Sequence, residues 1–329
     1  MKKNPDCTAG RSPAPLPNAS EAPSWLHRWC RGLLPHEWLF TVFHLVVLIG
    51  LLGVQPRHWP LIGCFALYLT LTHLVAACCE AKPNPSRWRA RLLLYPLISN
   101  VIYFQLAAIV AAIPPVLRDQ RLQRVDRWLV GGDLSLALQR WNHPWLTEIL
   151  SAAYLSYVPY VAVAALFYLL DDLTLTIRFY LGILTAVSLG FLGYMLVPAY
   201  GPYLALADQF TVPLSGGWIA QFNAELVRWG SIRVDTFPSL HCALPAFILA
   251  FDFLYHRTRF WVGLIPCALL WFSTVYLRYH YLADAVAGFA LAGASLFLAT
   301  RWPVAVDRDE PCLTKETPSH VCRDNPDLP

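Results

Sequence analysis

Eight apolar stretches, each near the length that crosses a bilayer, constrain this chain more than any other feature. They fall at about 38–54, 60–79, 92–113, 150–170, 177–197, 242–256, 260–279 and 281–300. A hydrocarbon core about 30 Å thick takes about 20 residues of helix, and within it every backbone N–H and C=O must find a partner in the protein. Composition agrees: 57% of the 329 residues are hydrophobic and 14% are charged, where a soluble chain carries about 25% charged residues. The sequence predicts an all-α integral membrane protein with about eight transmembrane helices.

Charge sets the orientation. The tight connections at 80–91, with Lys82, Arg87, Arg89 and Arg91, and at 256–260, with Arg257 and Arg259, concentrate cations between spans. By the positive-inside rule they face the cytoplasm, as do both termini. The net charge of +4 is spread without a basic stripe, so no nucleic-acid partner is expected; the cations suit topology and contact with lipid headgroups. Residues 1–36 and 302–329 are Pro-rich and polar and are expected to be disordered. The first of these lacks a signal-peptide pattern, so the first apolar stretch is expected to remain as an anchor. The nine cysteines show no CxxC pair and no metal-like spacing, so neither a disulfide framework nor a metal site is expected.

Two long loops then face the exterior. In the first, about 114–149, Arg118, Arg121, Arg124 and Arg127 alternate with Leu122, Val125, Trp128 and Leu129, the pattern of a helix lying in the interface or capping the bundle. The second, about 198–241, has a middle, Trp218 to Trp229, that also reads as interfacial.

Ionisable groups at the mouths of apolar segments carry the chemistry. Pro238-Ser239-Leu240-His241 opens one segment; Ser273 through Asp284 closes another and opens the last with His280 and Asp284. His280 and Asp284, four apart, are expected on one helix face. A neutral imidazole is a nucleophile, and a carboxylate at its other ring nitrogen fixes the tautomer and stabilises the charge that develops on attack. A second imidazole, His241, suits the protonation of a leaving alkoxide. Helix starts attract anions, Ser239 adds a hydroxyl, and Arg278 adds a guanidinium group for a phosphate. Phosphoryl transfer through a phosphohistidine fits these groups and needs no metal or other cofactor. The expected catalytic set is His280, His241 and Asp284, with Arg278 and Ser239 binding phosphate.

These paired motifs, with Ala287-Gly288 after them, resemble those of the type 2 phosphatidic acid phosphatase superfamily. Within it they look most like the branch of the inositol phosphorylceramide synthases. The resemblance implies a six-helix catalytic core at 92–301, preceded by two extra helices at 37–91. It also implies that His280 is the nucleophile, Asp284 its partner and His241 the acid, with Arg278 and Arg233 supplying the positive charge that binds phosphate. Phospholipids or sphingolipids would be the substrates, met on the periplasmic, extracellular or lumenal side.

The superfamily's first motif supplies a Lys and an Arg before a Pro; Gly193 to Tyr203 has neither. Leu240 and Thr274 stand where the phosphatase form has Gly and Arg. Both departures agree with the synthase-like branch, although hydrolysis to water stays open as the alternative. A transporter with a His/Asp proton relay is the alternative of another class. Asp252 is expected to meet Arg257 or His256 rather than substrate.

Overall fold

The computed structural model describes residues 32–55, 58–113 and 116–304. Seven helices are long and apolar enough to cross a membrane: α1 (Pro35–Gly53), α2 (Trp59–Ala81), α3 (Pro85–Ala112), the pair α6 (Pro144–Leu155) and α7 (Tyr157–Leu169) read as one span, α8 (Leu173–Leu196), α12 (Arg257–Tyr276) and α13 (Leu282–Arg301). The eighth expected span, α11 (Leu240–Tyr255), has 16 residues and is about 24 Å long. Four short helices sit among the connections: α4 (Asp119–Val130), α5 (Leu134–Leu138), α9 (Pro202–Ala205) and α10 (Trp218–Gly230). Among the described residues there is no strand, only one isolated bridge between Ala199 and Asp235. The chain is an all-α integral membrane protein.

Three spans begin four or more residues earlier than their hydropathy suggests. Helix α3 starts at Pro85 rather than 92, α6 at Pro144 rather than 150, and α8 at Leu173 rather than 177. Capping decides these starts, because a helix begins where its first N–H groups are satisfied or missing, whatever the surrounding polarity. Pro85 and Pro144 take the first helical position, Asn84 accepts from the Arg87 amide, and Asp172 accepts from the Thr174 amide.

Helix α8 is the axis of the bundle: its apolar window is 67% buried, against 17–39% for the other spans. It packs on α1, α3, α11 and α13. Gly193 marks the closest approach, since a Cβ there would strike the Pro238 ring. Helix α11 in turn packs between α12 and α13.

The expectation of disorder at 1–36 and 302–329 lies mostly outside the described residues, but its inner margins are corrected. Leu33, Leu34 and His36 are buried, and Val304 packs against the core. An ion cluster explains the first of these. Arg91 donates through Nε to Glu37 (2.7 Å) and through Nη1 to Glu80 (2.7 Å), tying α1, α2 and α3 together, while Nη2 reaches the Gly32 carbonyl.

A second cluster at the same end of the bundle corrects the reading of Asp252. Its partners are Arg259, whose Nε lies 3.0 Å from Oδ1, and the Tyr168 hydroxyl, whereas His256 pairs with Asp171 at 2.9 Å. Seven residues along the chain, Arg259 faces back across the α11–α12 turn, so tertiary contact overrides proximity in sequence.

Candidate active site

At the opposite end, two chain reversals bring the motifs together. Ser239 caps α11: its Oγ accepts from the Cys242 amide at 3.3 Å, and its own amide donates to the Asp284 carbonyl at 3.1 Å. Gly288 makes that contact possible, because a Cβ there would lie 2.5 Å from the Ser239 carbonyl. On the other side, the Thr274 carbonyl accepts from both the Tyr279 and His280 amides, each at 3.0 Å, and Arg278 takes a left-handed conformation, φ 68°. A non-glycine residue rarely adopts that backbone, and it persists where surrounding contacts over-determine it.

The result places the His241 and His280 rings 5.6 Å apart between centroids. His280 is buried, and its Nδ1 lies 3.0 Å from the Thr236 carbonyl and 3.6 Å from Asp284 Oδ2. A carbonyl only accepts, so Nδ1 carries the proton and Nε2 keeps its lone pair. The expected shared helix face is corrected here: His280 precedes α13, which begins at Leu282. Asp284 approaches it through a capping box instead, accepting the Tyr281 amide on Oδ2 at 2.8 Å, with Oδ1 buried and unpartnered.

His241, in the first turn of α11, is packed against two tyrosine rings. Tyr154 is stacked on it at 4.5 Å and 19°, and Tyr157 lies tilted at 4.2 Å. Tyr279 follows at 4.8 Å from Tyr154 and accepts from Asn223 Nδ2 of α10 at 3.1 Å.

The expected phosphate ligands are placed differently from one another. Ser239 is fully buried, with its acceptor capacity committed to the cap and its O–H left to donate. Arg278 is buried, donates to the Val212 carbonyl at 2.6 Å and covers the Phe210 ring at 3.9 Å. Burial pushes its guanidinium down from the ordinary value. Arg233 is exposed on a left-handed turn, φ 67°, beside Tyr203. Burial pushes the Tyr203 hydroxyl up, and the nearby Asp235 carboxylate adds to the effect.

Sequence reasoning missed the groups that hold the site in place. Asp126 accepts the Leu282 and Ala283 amides, at 3.0 and 2.8 Å, at the start of α13. Asp119 accepts from the Tyr200 and Gly201 amides and from the Tyr281 hydroxyl at 3.0 Å. The two acids are seven apart on α4 and share its buried face with Leu122, while Arg121, Arg124 and Arg127 point outward. That spacing was a readable signal. The Thr236 carbonyl was not, since a backbone group leaves no trace in residue type.

No curated protein and no solved structure matches the chain. The family model of the PAP2 superfamily matches residues 120–298, a stretch that runs from within α4 into α13 and contains His241, His280 and Asp284. By a match over more than half its length, the chain belongs to the PAP2 superfamily, whose members are phosphatases and phosphotransferases acting on lipid phosphates.

Proposed function

We propose that the protein is a lipid phosphotransferase working through a phosphohistidine, with a reaction like that of the inositol phosphorylceramide synthases. Nε2 of His280 attacks phosphorus and forms an N–P bond as the P–O bond to the departing lipid alcohol breaks. His241 protonates that alkoxide, then takes the proton of an incoming hydroxyl as its oxygen displaces His280. Asp284 balances the charge on the His280 ring. Arg278, Arg233 and the Ser239 hydroxyl face the phosphoryl oxygens. No step calls for a metal.

The observation that carries this reading is the bond between Nδ1 of His280 and the Thr236 carbonyl, which leaves Nε2 as the free nucleophile beside a second imidazole. Transfer between lipids is favoured by Thr274. Where the phosphatase form has Arg, Thr274 is buried and donates to the Trp271 carbonyl at 2.8 Å, so that position offers no cation. A monoanionic phosphodiester needs fewer cations than a dianionic monoester. The site lies on the periplasmic, extracellular or lumenal side, with α1 and α2 as additions to a core that starts with α3.

The test is product analysis of the protein in lipid nanodiscs, with chelator, given phospholipids with and without ceramide or diacylglycerol. A new headgroup-bearing lipid that needs His280 supports transfer. Free phosphate or headgroup alone replaces it with hydrolysis, and a product that forms equally with His280→Ala overturns the phosphohistidine.

A further inference from the structure

We infer that Tyr154 and Tyr157 are positioning residues that hold His241 at the reacting centre, an inference that rests on His241 being the acid. Among the described residues His241 has no hydrogen-bond partner for either ring nitrogen. Its neighbours are rings: Tyr154 stacked at 4.5 Å, Tyr157 at 4.2 Å and His280 at 5.6 Å. His280 is oriented by a carbonyl and a carboxylate; His241 is oriented by aromatic faces alone.

The fourth span is built to deliver those faces. Helices α6 and α7 meet at Ser156, which keeps a right-handed helical backbone (φ −68°, ψ −12°) and whose hydroxyl turns back to the Ala153 carbonyl at 2.6 Å. Tyr154 and Tyr157 flank this junction. Residues three apart are neighbours on one helix face, so both rings reach the same imidazole. Tyr154 is itself supported by Tyr279, which Asn223 holds from α10.

The physical need is geometric. A general acid acts only within about 2.6–3.2 Å of the atom it protonates, and about 1 Å of misplacement can cost roughly a hundredfold. An imidazole with no hydrogen bond has two free side-chain torsions to wander through. Packed rings remove that freedom and leave both nitrogens available for proton transfer.

The assay compares two donors in nanodiscs carrying the full chain: a lipid phosphoester that expels an alkoxide, and its p-nitrophenyl counterpart, whose leaving group needs no acid. Tyr154→Leu and Tyr157→Leu are expected to lower kcat for the alkoxide donor by about 10–100-fold, with KM changed by less than about threefold. Release of p-nitrophenolate in the first turnover, before any incoming hydroxyl needs a base, should stay near the rate of the parent protein, and Tyr→Phe at either position should restore the alkoxide rate. Equal loss on both donors, or no loss on either, overturns the positioning role. His241→Gln separates the two layers of argument. If that variant fails to discriminate between the donors, the reading of His241 as the acid falls; if it discriminates and the leucine variants do not, only the tyrosines are overturned. A readout free of turnover is the 13C-labelled histidine spectrum. The His241 resonance should carry a ring-current shift that collapses in Tyr154→Leu and survives in Tyr154→Phe; a resonance unmoved by the leucine variant overturns the packing role.

Discussion

The Thr236 carbonyl oxygen lies 3.0 Å from Nδ1 of His280, nearer than the 3.6 Å that separates the same nitrogen from Asp284 Oδ2. The tautomer of the proposed nucleophile is thus set by a backbone group that no side-chain substitution removes. In the proposed reaction Asp284 is left two other tasks: balancing charge during attack and closing the cap of α13.

Substitution of the two residues should therefore give unequal losses. His280→Gln is expected to abolish phosphoryl transfer. Asp284→Asn should cost on the order of 10²-fold, below the about 10⁴-fold that accompanies loss of the correct tautomer in a serine-protease triad. Rates of both variants in nanodiscs check this; equal, complete loss would mean that Asp284 rather than Thr236 fixes the ring.

Asp126 should matter for stability without touching substrate. Asp126→Ala leaves the Leu282 and Ala283 amides without their carboxylate at the start of α13, at a cost of about 1–3 kcal/mol. Thermal unfolding in detergent is expected to fall by several degrees. Activity should fall with it, because His280 sits two residues before the loosened helix.

Gly288→Val should disconnect the two motifs. The new Cβ would meet the Ser239 carbonyl at 2.5 Å, and overpacking of this kind costs about 1–3 kcal/mol. The outcome to look for is a loss of phosphoryl transfer larger than the drop in melting temperature accounts for.

Arg91→Met should destabilise the opposite end of the bundle by about 3–5 kcal/mol, because it strands the buried Glu37 carboxylate. The double variant Glu37→Gln with Arg91→Met should recover part of that loss. Melting temperatures of the three proteins measure it, and a double variant less stable than Arg91→Met would show that the charges are not the cause.

Helix α10 should lie on the bilayer. Trp218 and Trp229 are 75% and 80% exposed, Phe222 and Leu226 lie on the same face, and Asn223 is the buried residue of the helix. Spin labels at positions 222 and 226 are expected to be relaxed more strongly by oxygen than by a water-soluble nickel chelate. The opposite order would place this helix in water.

The helical class, the spans to within several residues and the pairing of two histidine motifs were all legible in the chain, since each follows from local polarity and spacing. Lipid forces apolar stretches of this length into helices, and ionisable groups stand out against them. His280 and Asp284 illustrate the boundary of such reading. Their separation of four suggested one helix face, whereas the helix starts between them and a capping box brings them together. Asp252 illustrates it again, with Arg259 rather than its immediate neighbours as partner.

What only the tertiary structure decided is how the site is held. The Thr236 carbonyl on His280, the two tyrosines of the fourth span on His241, and the acids of α4 that anchor the start of α13 all join residues far apart in the chain. Sequence by itself determined which groups are candidates for the chemistry, because polarity and residue type are local properties. Orientation of those groups depends on contacts across 44 to more than 150 positions, and such contacts come into being only when the bundle closes.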